Sequence, residues 1–310
     1  MPSKKKTLLV ALGGNALIKK GQKGTIEEQF DNLSVPMAQL ARLSRRYRLI
    51  ITHGNGPQVG NLLLQQECCR QVPRLPLEIL VAQTQGQIGY MIESTLDTQL
   101  MNMGIKTAQK VITVISYVVV DEKDPAFATP TKPIGPAFTA AQARKLPYPT
   151  LKTTKGYRRV VVSPLPQTIV EKREIRTLID SEFVVICCGG GGIPVVREGR
   201  RFSGVDAVID KDLASAKLAQ EVGVDIFVIA TDVPGVALDF GSERERYISR
   251  LSLAEAKRYL SENQFHAGAM KPKVEACMRL VKNGIEKAVI VNLTEIDKAV
   301  KGVAGTQFHP

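Results

Sequence analysis

The chain of 310 residues is 44% hydrophobic and 23% charged, with 42 Lys and Arg against 30 Asp and Glu and a net charge of +12. That length allows one large or two medium domains with a full-sized core, and the composition excludes a mainly disordered or collagen-like chain. The longest clean apolar run, 111–120, is too short to span a bilayer. The apolar stretch after Lys4-Lys5-Lys6 is broken by Gly13, Gly14 and Asn15, which argues against a signal peptide and for a cytoplasmic protein.

Residues 8–12 read as a short apolar strand running into Gly13-Gly14-Asn15. Ile26, Phe30, Leu33, Met37 and Leu40 recur at helical spacing, and Pro36 inside that run predicts a kinked or split helix. Residues 47–52 form a second strand closed by His53-Gly54-Asn55-Gly56-Pro57, and helical text follows to about residue 67 and again over 77–103. A third strand is expected over 111–119, rich in β-branched residues and buried on both faces. The segment 124–166 holds eight of the 17 prolines, a density that opposes a regular core element. It reads as an insertion or small protruding subdomain, of the kind that often forms a functional lid.

Order returns at Thr168, which makes a capping-box pattern with Glu171. Residues 183–187 form a strand, followed by four glycines at 189–192. Residues 210–222 are helical with Gly223 as a stop signal, and 225–230 are a strand leading into Thr231-Asp232-Val233. Ser252 with Glu255 is a second capping box, Met270, Val274, Cys277, Met278 and Val281 make a helical apolar stripe, and 288–291 are a late strand. Strands alternating with helices throughout predict an α/β fold with a mainly parallel sheet.

The five cysteines, two vicinal pairs and a single, are not a disulfide framework and read as reduced, largely buried thiols. The three histidines, His53, His266 and His309, show no metal-ligand spacing. The positive charge suits either a solvated lysine-rich surface or a protein that handles phosphates. Aromatics are only 5%, and no nucleic-acid-reading signature is present.

Three strands end in glycine-rich turns, at Gly13-Gly14-Asn15, at Gly54-Asn55-Gly56 and at 189–192. Open α/β sheets bind ligands at the carboxyl ends of strands, where glycine lets the backbone approach closely. Helices starting after the first two turns would aim free N–H groups at an anion. The alternative is that glycine merely closes tight turns. Neither a GxxxxGK[ST] loop nor a GxGxxG opening a helix is present, which disfavours a P-loop enzyme or a Rossmann dehydrogenase. What remains is a set of lysines. Lys132 is framed by Pro130-Thr131 and Pro133, Lys211 lies between Asp210 and Asp212 at a helix start, and Lys273 follows Pro272 in the first turn of another helix. Each could be an ordinary surface lysine. Together they suit phosphoryl transfer, where catalysis is positioning and electrostatic stabilisation. An acceptor that is already a carboxylate-like anion needs no general base.

The segments ALGGNAL (11–17), THGNGPQVG (52–60), GQIGY (86–90), DPAFATPTKPIGPAF (124–138), GYRRVVVSPLP (156–166), CGGGGIPVV (188–196), GVDAVIDKDLASAKLA (204–219), TDVPGV (231–236) and FHAGAMKPKVEA (265–276) together resemble the carbamate kinases of the amino acid kinase family. The likeness runs along nearly the whole chain. It implies a three-layer αβα sandwich with an open, mainly parallel sheet of about eight strands and a small protruding subdomain. It implies the reaction ATP + carbamate ⇌ ADP + carbamoyl phosphate, with magnesium on the nucleotide, in a homodimer. An acceptor lobe is expected over 1–223, with a lid inserted at 122–166, and a nucleotide lobe over 224–310. By the same resemblance Gly13, Gly14, Asn15, Gly54 and Asn55 hold the transferring phosphoryl group. Lys132 contacts the acceptor, Lys211 and Lys273 stabilise the phosphates, and Asp212 and Asp210 orient the lysines. Thr231, Asp232, Val233 and Met270, with Lys273, hold the nucleotide. Two departures stand out: Lys271 beside the last lysine, where a glycine is usual, and Lys152-Thr153-Thr154-Lys155 before Gly156, where acidic residues are usual. Competing readings are a kinase of the same fold with another small carboxylate acceptor, and a non-catalytic basic protein binding anions or nucleic acid.

Overall fold

Strand β1 (Thr7–Leu12) is buried along its whole length because it pairs on both edges and is covered on both faces. Leu9 and Ala11 enter one apolar cluster and Leu8, Val10 and Leu12 the other, the period of two that a strand imposes. This is a computed structural model, which describes residues 5–68, 71–105, 110–153, 156–265 and 268–310; Cys69, Lys155 and His266 lie outside them.

Helix α1 (Ile26–Ser44) starts on a capping box of Thr25 and Glu28. It is not split at Pro36, which lies buried inside a continuous helix of 19 residues. Burial of Leu33, Met37 and Leu40 against the sheet outweighs the one missing N–H. Strand β2 (Arg48–His53) and helices α2 (Gly56–Cys68) and α3 (Leu77–Asn102) follow as the sequence predicts.

The expected strand over 111–119 is two strands in different sheets, β3 (Val111–Thr113) and β4 (Tyr117–Val119). Gln85 of α3 makes the break: its side chain accepts from Ser116 N at 2.9 Å and donates to Ser116 O at 3.2 Å. Nor is β3 buried on both faces, since it is the half-buried edge of the main sheet. The proline-rich segment is also more regular than its composition suggests. Strand β5 (Lys132–Phe138), the short helix α4 (Ala140–Ala143), β6 (Thr150–Thr153) and β7 (Gly156–Val161) build an antiparallel sheet in the order β5-β7-β6. Pro133 and Pro136 are tolerated because β5 is an edge strand with a register shift between Ile134 and Phe138. Ile134 and Val161 anchor this sheet in a third apolar cluster with Val59 and Leu63 of α2.

Strand β8 (Thr168–Ile169) precedes α5 (Lys172–Asp180), and the predicted box of Thr168 and Glu171 does not form. Both side chains go to partners far along the chain: Thr168 Oγ1 donates to Glu221 at 2.6 Å, and Glu171 Oε2 accepts from Tyr117 N at 2.8 Å. Next come β9 (Val184–Ile186), β10 (Ile193–Glu198), β11 (Arg201–Gly204) and α6 (Lys211–Val222), the last stopped by Gly223 at φ +75°. The remaining elements are β12 (Ile226–Thr231), the hairpin β13 (Val236–Leu238) and β14 (Arg246–Ile248), β15 (Arg250–Ser252), and α7 (Leu253–Ser261), which begins on the predicted box of Ser252 and Glu255. They are followed by α8 (Met270–Lys282), β16 (Lys287–Asn292), α9 (Ile296–Lys301) and β17 (Thr306–His309).

The main sheet has eight strands in the order β15-β17-β16-β12-β1-β2-β9-β3, all parallel to their neighbours except β16 with β17. Residues of α5, α6, α7 and α8 cover one face and those of α1, α3 and α9 the other, so the architecture is a three-layer αβα sandwich. A second sheet, β11-β10-β4-β8, stands beside it.

Candidate active site

The order β12-β1-β2 brings three turns to neighbouring carboxyl ends of the main sheet: Gly13 to Asn15, Gly54 to Gly56, and Thr231 to Val233. The turns are tied together by backbone bonds, Gly13 N to Ala230 O at 2.9 Å and Gly54 N to Leu12 O at 3.1 Å. Only the second turn opens an α-helix. After Gly13 the chain makes a single 3-10 turn, Gly14–Ala16, so the expected helix N-terminus there does not exist. Free donors are present nonetheless: among the described residues, the N–H groups of Gly14, Asn15, Asn55 and Gly56 have no acceptor. They lie close together, since a Cβ on Gly54 would sit 3.4 Å from Gly14 N. Such clustered N–H groups form an anion-binding concavity. The half-buried Asn15 side chain has no hydrogen-bond partner among the described residues, whereas that of Asn55 is buried and donates to Thr84 Oγ1 at 2.9 Å. Asn55 therefore faces the turn through its backbone alone.

The three sequence-predicted lysines converge on two aspartates. Asp210 is the N-cap of α6; its Oδ1 accepts from Asp212 N at 2.9 Å and Leu213 N at 3.3 Å. Its Oδ2 accepts from Lys132 Nζ at the start of β5. Asp212 lies in the first turn of α6, where the helix dipole favours a carboxylate. Its two oxygens accept from Lys211 Nζ and, at 2.8 Å, from Lys273 Nζ in the first turn of α8. Lys211 Cδ lies 3.4 Å from the Cβ position of Gly54, so the cluster adjoins the donors of the second turn. Three ammonium groups share two carboxylates, and the side chains of Lys211 and Asp212 are only 9% and 3% exposed.

The electrostatics follow from that crowding. Burial opposes ionisation of Asp212, but Lys211 and Lys273 outweigh it and hold its carboxyl well below the usual range. Burial likewise works against charge on Asp210, and Lys132 overcomes it, lowering its pKa. Burial lowers Lys211 to about 8, with Asp212 pulling it back up and Lys273 adding repulsion. Lys273 is raised, because Asp212, Asp210 and Asp232 together outweigh its burial. The third turn adjoins the first, with Thr231 Cα 3.8 Å from the Cβ position of Gly13. Thr231 is buried and its Oγ1 donates to Asp232 Oδ1 at 3.2 Å; Asp232 is exposed, and Val233 and Met270 are half-buried.

Some predicted features serve other ends. The glycines at 189–192 do not open toward a ligand. A Cβ on Gly189 would overlap the His53 ring, one on Gly190 the Asn55 amide, and one on Gly191 the Ile209 carbonyl. They let β9 pass close behind the second turn and the cap of α6. His53 itself carried no sequence signal. It is buried, and burial lowers its pKa to about 4, so it is neutral, and its Nδ1 donates to Gly54 O at 3.2 Å. Lys271 is exposed and has no ion pair among the described residues, and Lys152 is likewise exposed. Cys187, Cys188 and Cys277 are buried free thiols, as expected, while Cys68 is exposed.

The profile of the amino acid kinase family matches residues 6–292. Carbamate kinase from Pyrococcus horikoshii is 44% identical, with 98% of this chain and 99% of that one aligned, and the Thermococcus kodakarensis carbamate kinase is 45% identical over 97% and 98%. The structure of Giardia lamblia carbamate kinase bound to citric acid superposes with a TM-score of 0.92 at 36% identity, covering 98% of each chain. N-acetylglutamate synthase from Neisseria gonorrhoeae shares the fold alone, with a TM-score of 0.59 at 15% identity. The chain belongs to the amino acid kinase family. The full-length relatives just described at 36–45% identity are carbamate kinases.

Proposed function

We infer that this chain is a carbamate kinase, transferring a phosphoryl group reversibly between ATP and carbamate to give ADP and carbamoyl phosphate. The observation that carries the reading is the convergence of Lys132, Lys211 and Lys273 on Asp210 and Asp212 beside the open N–H groups of the first two turns. A transferring phosphoryl group spreads negative charge over its oxygens, and fixed cations and dipoles stabilise it without reorganisation. Two unit charges about 4 Å apart attract by about 4 kcal/mol at an effective dielectric of about 20.

In the synthetic direction a carbamate oxygen, already anionic, attacks the γ-phosphorus. The new O–P bond forms as the bond to the β–γ bridging oxygen breaks, and ADP leaves with that electron pair. No proton is removed from the acceptor, and the buried, neutral His53 is not called on as a base. Gly13, Gly14, Asn15, Gly54 and Asn55 cradle the phosphoryl group, Lys132 meets the acceptor, and Lys211 and Lys273 neutralise the phosphates, with Asp210 and Asp212 aiming them. Thr231, Asp232, Val233 and Met270 hold the nucleotide. The acceptor lobe is 1–223 with the 122–166 insertion over its site, and the nucleotide lobe is 224–310.

Among the described residues no group of three His, Cys, Asp or Glu stands ready to ligate a metal, and Asp210 and Asp212 are held by lysines. That donor set fits a magnesium ion carried on the nucleotide, where it neutralises phosphate charge. Among the described residues no helix is long and apolar enough to cross a membrane. A cytoplasmic homodimer without a nucleic-acid partner completes the reading.

The test is ATP formation from ADP, carbamoyl phosphate and magnesium. Wild type should turn over robustly, and Lys273→Ala should lose at least about 100-fold in kcat, the scale of removing a fixed charge from a developing anion. Turnover within a few-fold of wild type would remove Lys273 from the site. No ATP from folded protein would point to another small carboxylate acceptor.

A further inference from the structure

Two adjacent arginines on β7 have opposite surroundings. Arg159 is ion-paired: Nη1 donates to Glu67 at 2.6 Å, and the guanidinium lies 4.2 Å from the Tyr148 ring centroid. Arg158 makes one bond, from Nε to Gly135 O at 2.9 Å, and among the described residues no carboxylate pairs with it. Burial lowers its pKa, yet a guanidinium remains charged at any physiological pH. Arg158 is half-buried, and a partly desolvated cation without a carboxylate partner gains by meeting an anion.

Its position says which anion. Pro133 pairs with Val160, and Arg158 stands two residues before Val160, so Arg158 and Pro133 share one face of the small sheet. That face meets the approach to α8, with Pro133 Cγ 3.7 Å from the Cβ position of Gly268. Arg158 Nη2 reaches 4.0 Å from the Cβ position of Gly56, the first residue of α2, where the N–H groups of Asn55 and Gly56 are open. With Nε fixed on Gly135 O, the outer guanidinium nitrogens are left as a planar fork, the geometry that matches a carboxylate or phosphate.

We propose that Arg158 binds the acceptor anion, carbamate in one direction and carbamoyl phosphate in the other, holding it against the N-terminal turn of α2. The proposal rests on the kinase reading above. The experiment measures ATP formation by wild type, Arg158→Gln and Arg158→Lys, with the KM for carbamoyl phosphate and for ADP determined separately. Arg158→Gln should raise the KM for carbamoyl phosphate at least tenfold, leave that for ADP within twofold, and melt within a few degrees of wild type. Arg158→Lys should recover part of the loss. Arg159→Gln, which breaks the Glu67 pair, should lower the melting temperature without separating the two KM values. An unchanged KM for carbamoyl phosphate, or equal rises for both substrates, would overturn the proposal. A thermal-shift titration with inorganic phosphate needs no turnover and separates the two failures. Phosphate binding that weakens at least fivefold in Arg158→Gln supports the anion site even if the acceptor is not carbamate. Equal binding by both proteins, or none by wild type, overturns it.

Discussion

The turns after β1 and β2 and the turn after β9 carry the same glycine signature and serve opposite ends. At Gly14 and Gly54 an added Cβ would meet little, its nearest neighbours being Pro57 Cδ at 3.9 Å and Gly14 N at 3.4 Å, and backbone N–H groups stay open toward the lysines. At Gly190, with φ +66°, an added Cβ would overlap the Asn55 amide. The first pair keeps space for something outside the chain, and the last gives its space to the chain itself. Glycine at a strand end is thus no ligand signal until its neighbours are known.

That contrast predicts where substitutions are felt. Gly190→Ala should be the most disruptive, combining a left-handed backbone with a core overlap. A loss of about 3 kcal/mol, or about 5 °C in melting temperature, is expected by calorimetry. Near-native melting would break the comparison. Gly54→Ala should reverse the pattern: melting within about 2 °C of wild type, but kcat/KM for carbamoyl phosphate down about 100-fold, as when one oxyanion donor is blocked.

His53 lies behind the filled turn and sharpens the stability side. Its folded pKa of about 4 is below the ordinary 6.5, so between those values the unfolded chain binds the extra proton. Stability is then intact above pH 6.5 and falls as pH drops toward 4, by up to about 3 kcal/mol. Urea midpoints measured across this range should flatten in His53→Asn; an unchanged slope would assign the acid sensitivity elsewhere. The smallest effect belongs to the open turn. Lys211, lowered to about 8, loses its charge as pH rises, so kcat/KM should fall about tenfold per unit above that value. Lys211→Arg, which keeps its charge, should abolish that limb even if its overall rate is lower.

What could be read from the sequence was what depends on near neighbours. Asp210 caps its own helix, Gly223 ends it, and Ser252 and Glu255 satisfy each other across one turn. The three lysines were legible through their company of prolines and aspartates, although the sharing of Asp212 between Lys211 and Lys273, 61 positions apart for the latter, was not. Features decided by distant partners were misread. The break between β3 and β4 is set by Gln85, 31 residues earlier, and Thr168 is claimed by Glu221, 53 residues later. Arg158 and Arg159 look alike in sequence and differ in the partners the fold brings to them, Gly135 O for one and Glu67 with the Tyr148 ring for the other.

The insertion that supplies Lys132 leaves the chain after β4 and rejoins it before β8, and these two strands pair with each other in the second sheet. None of its strands takes part in the main sheet. Its bases meet like the two ends of a clasp, so a descendant could lengthen, shorten or replace everything between them without disturbing one hydrogen bond of the eight-stranded scaffold. On the reading proposed above, in which Lys132 meets the acceptor, that part of the acceptor site can change while the hydrogen bonds of the main sheet stay as they are.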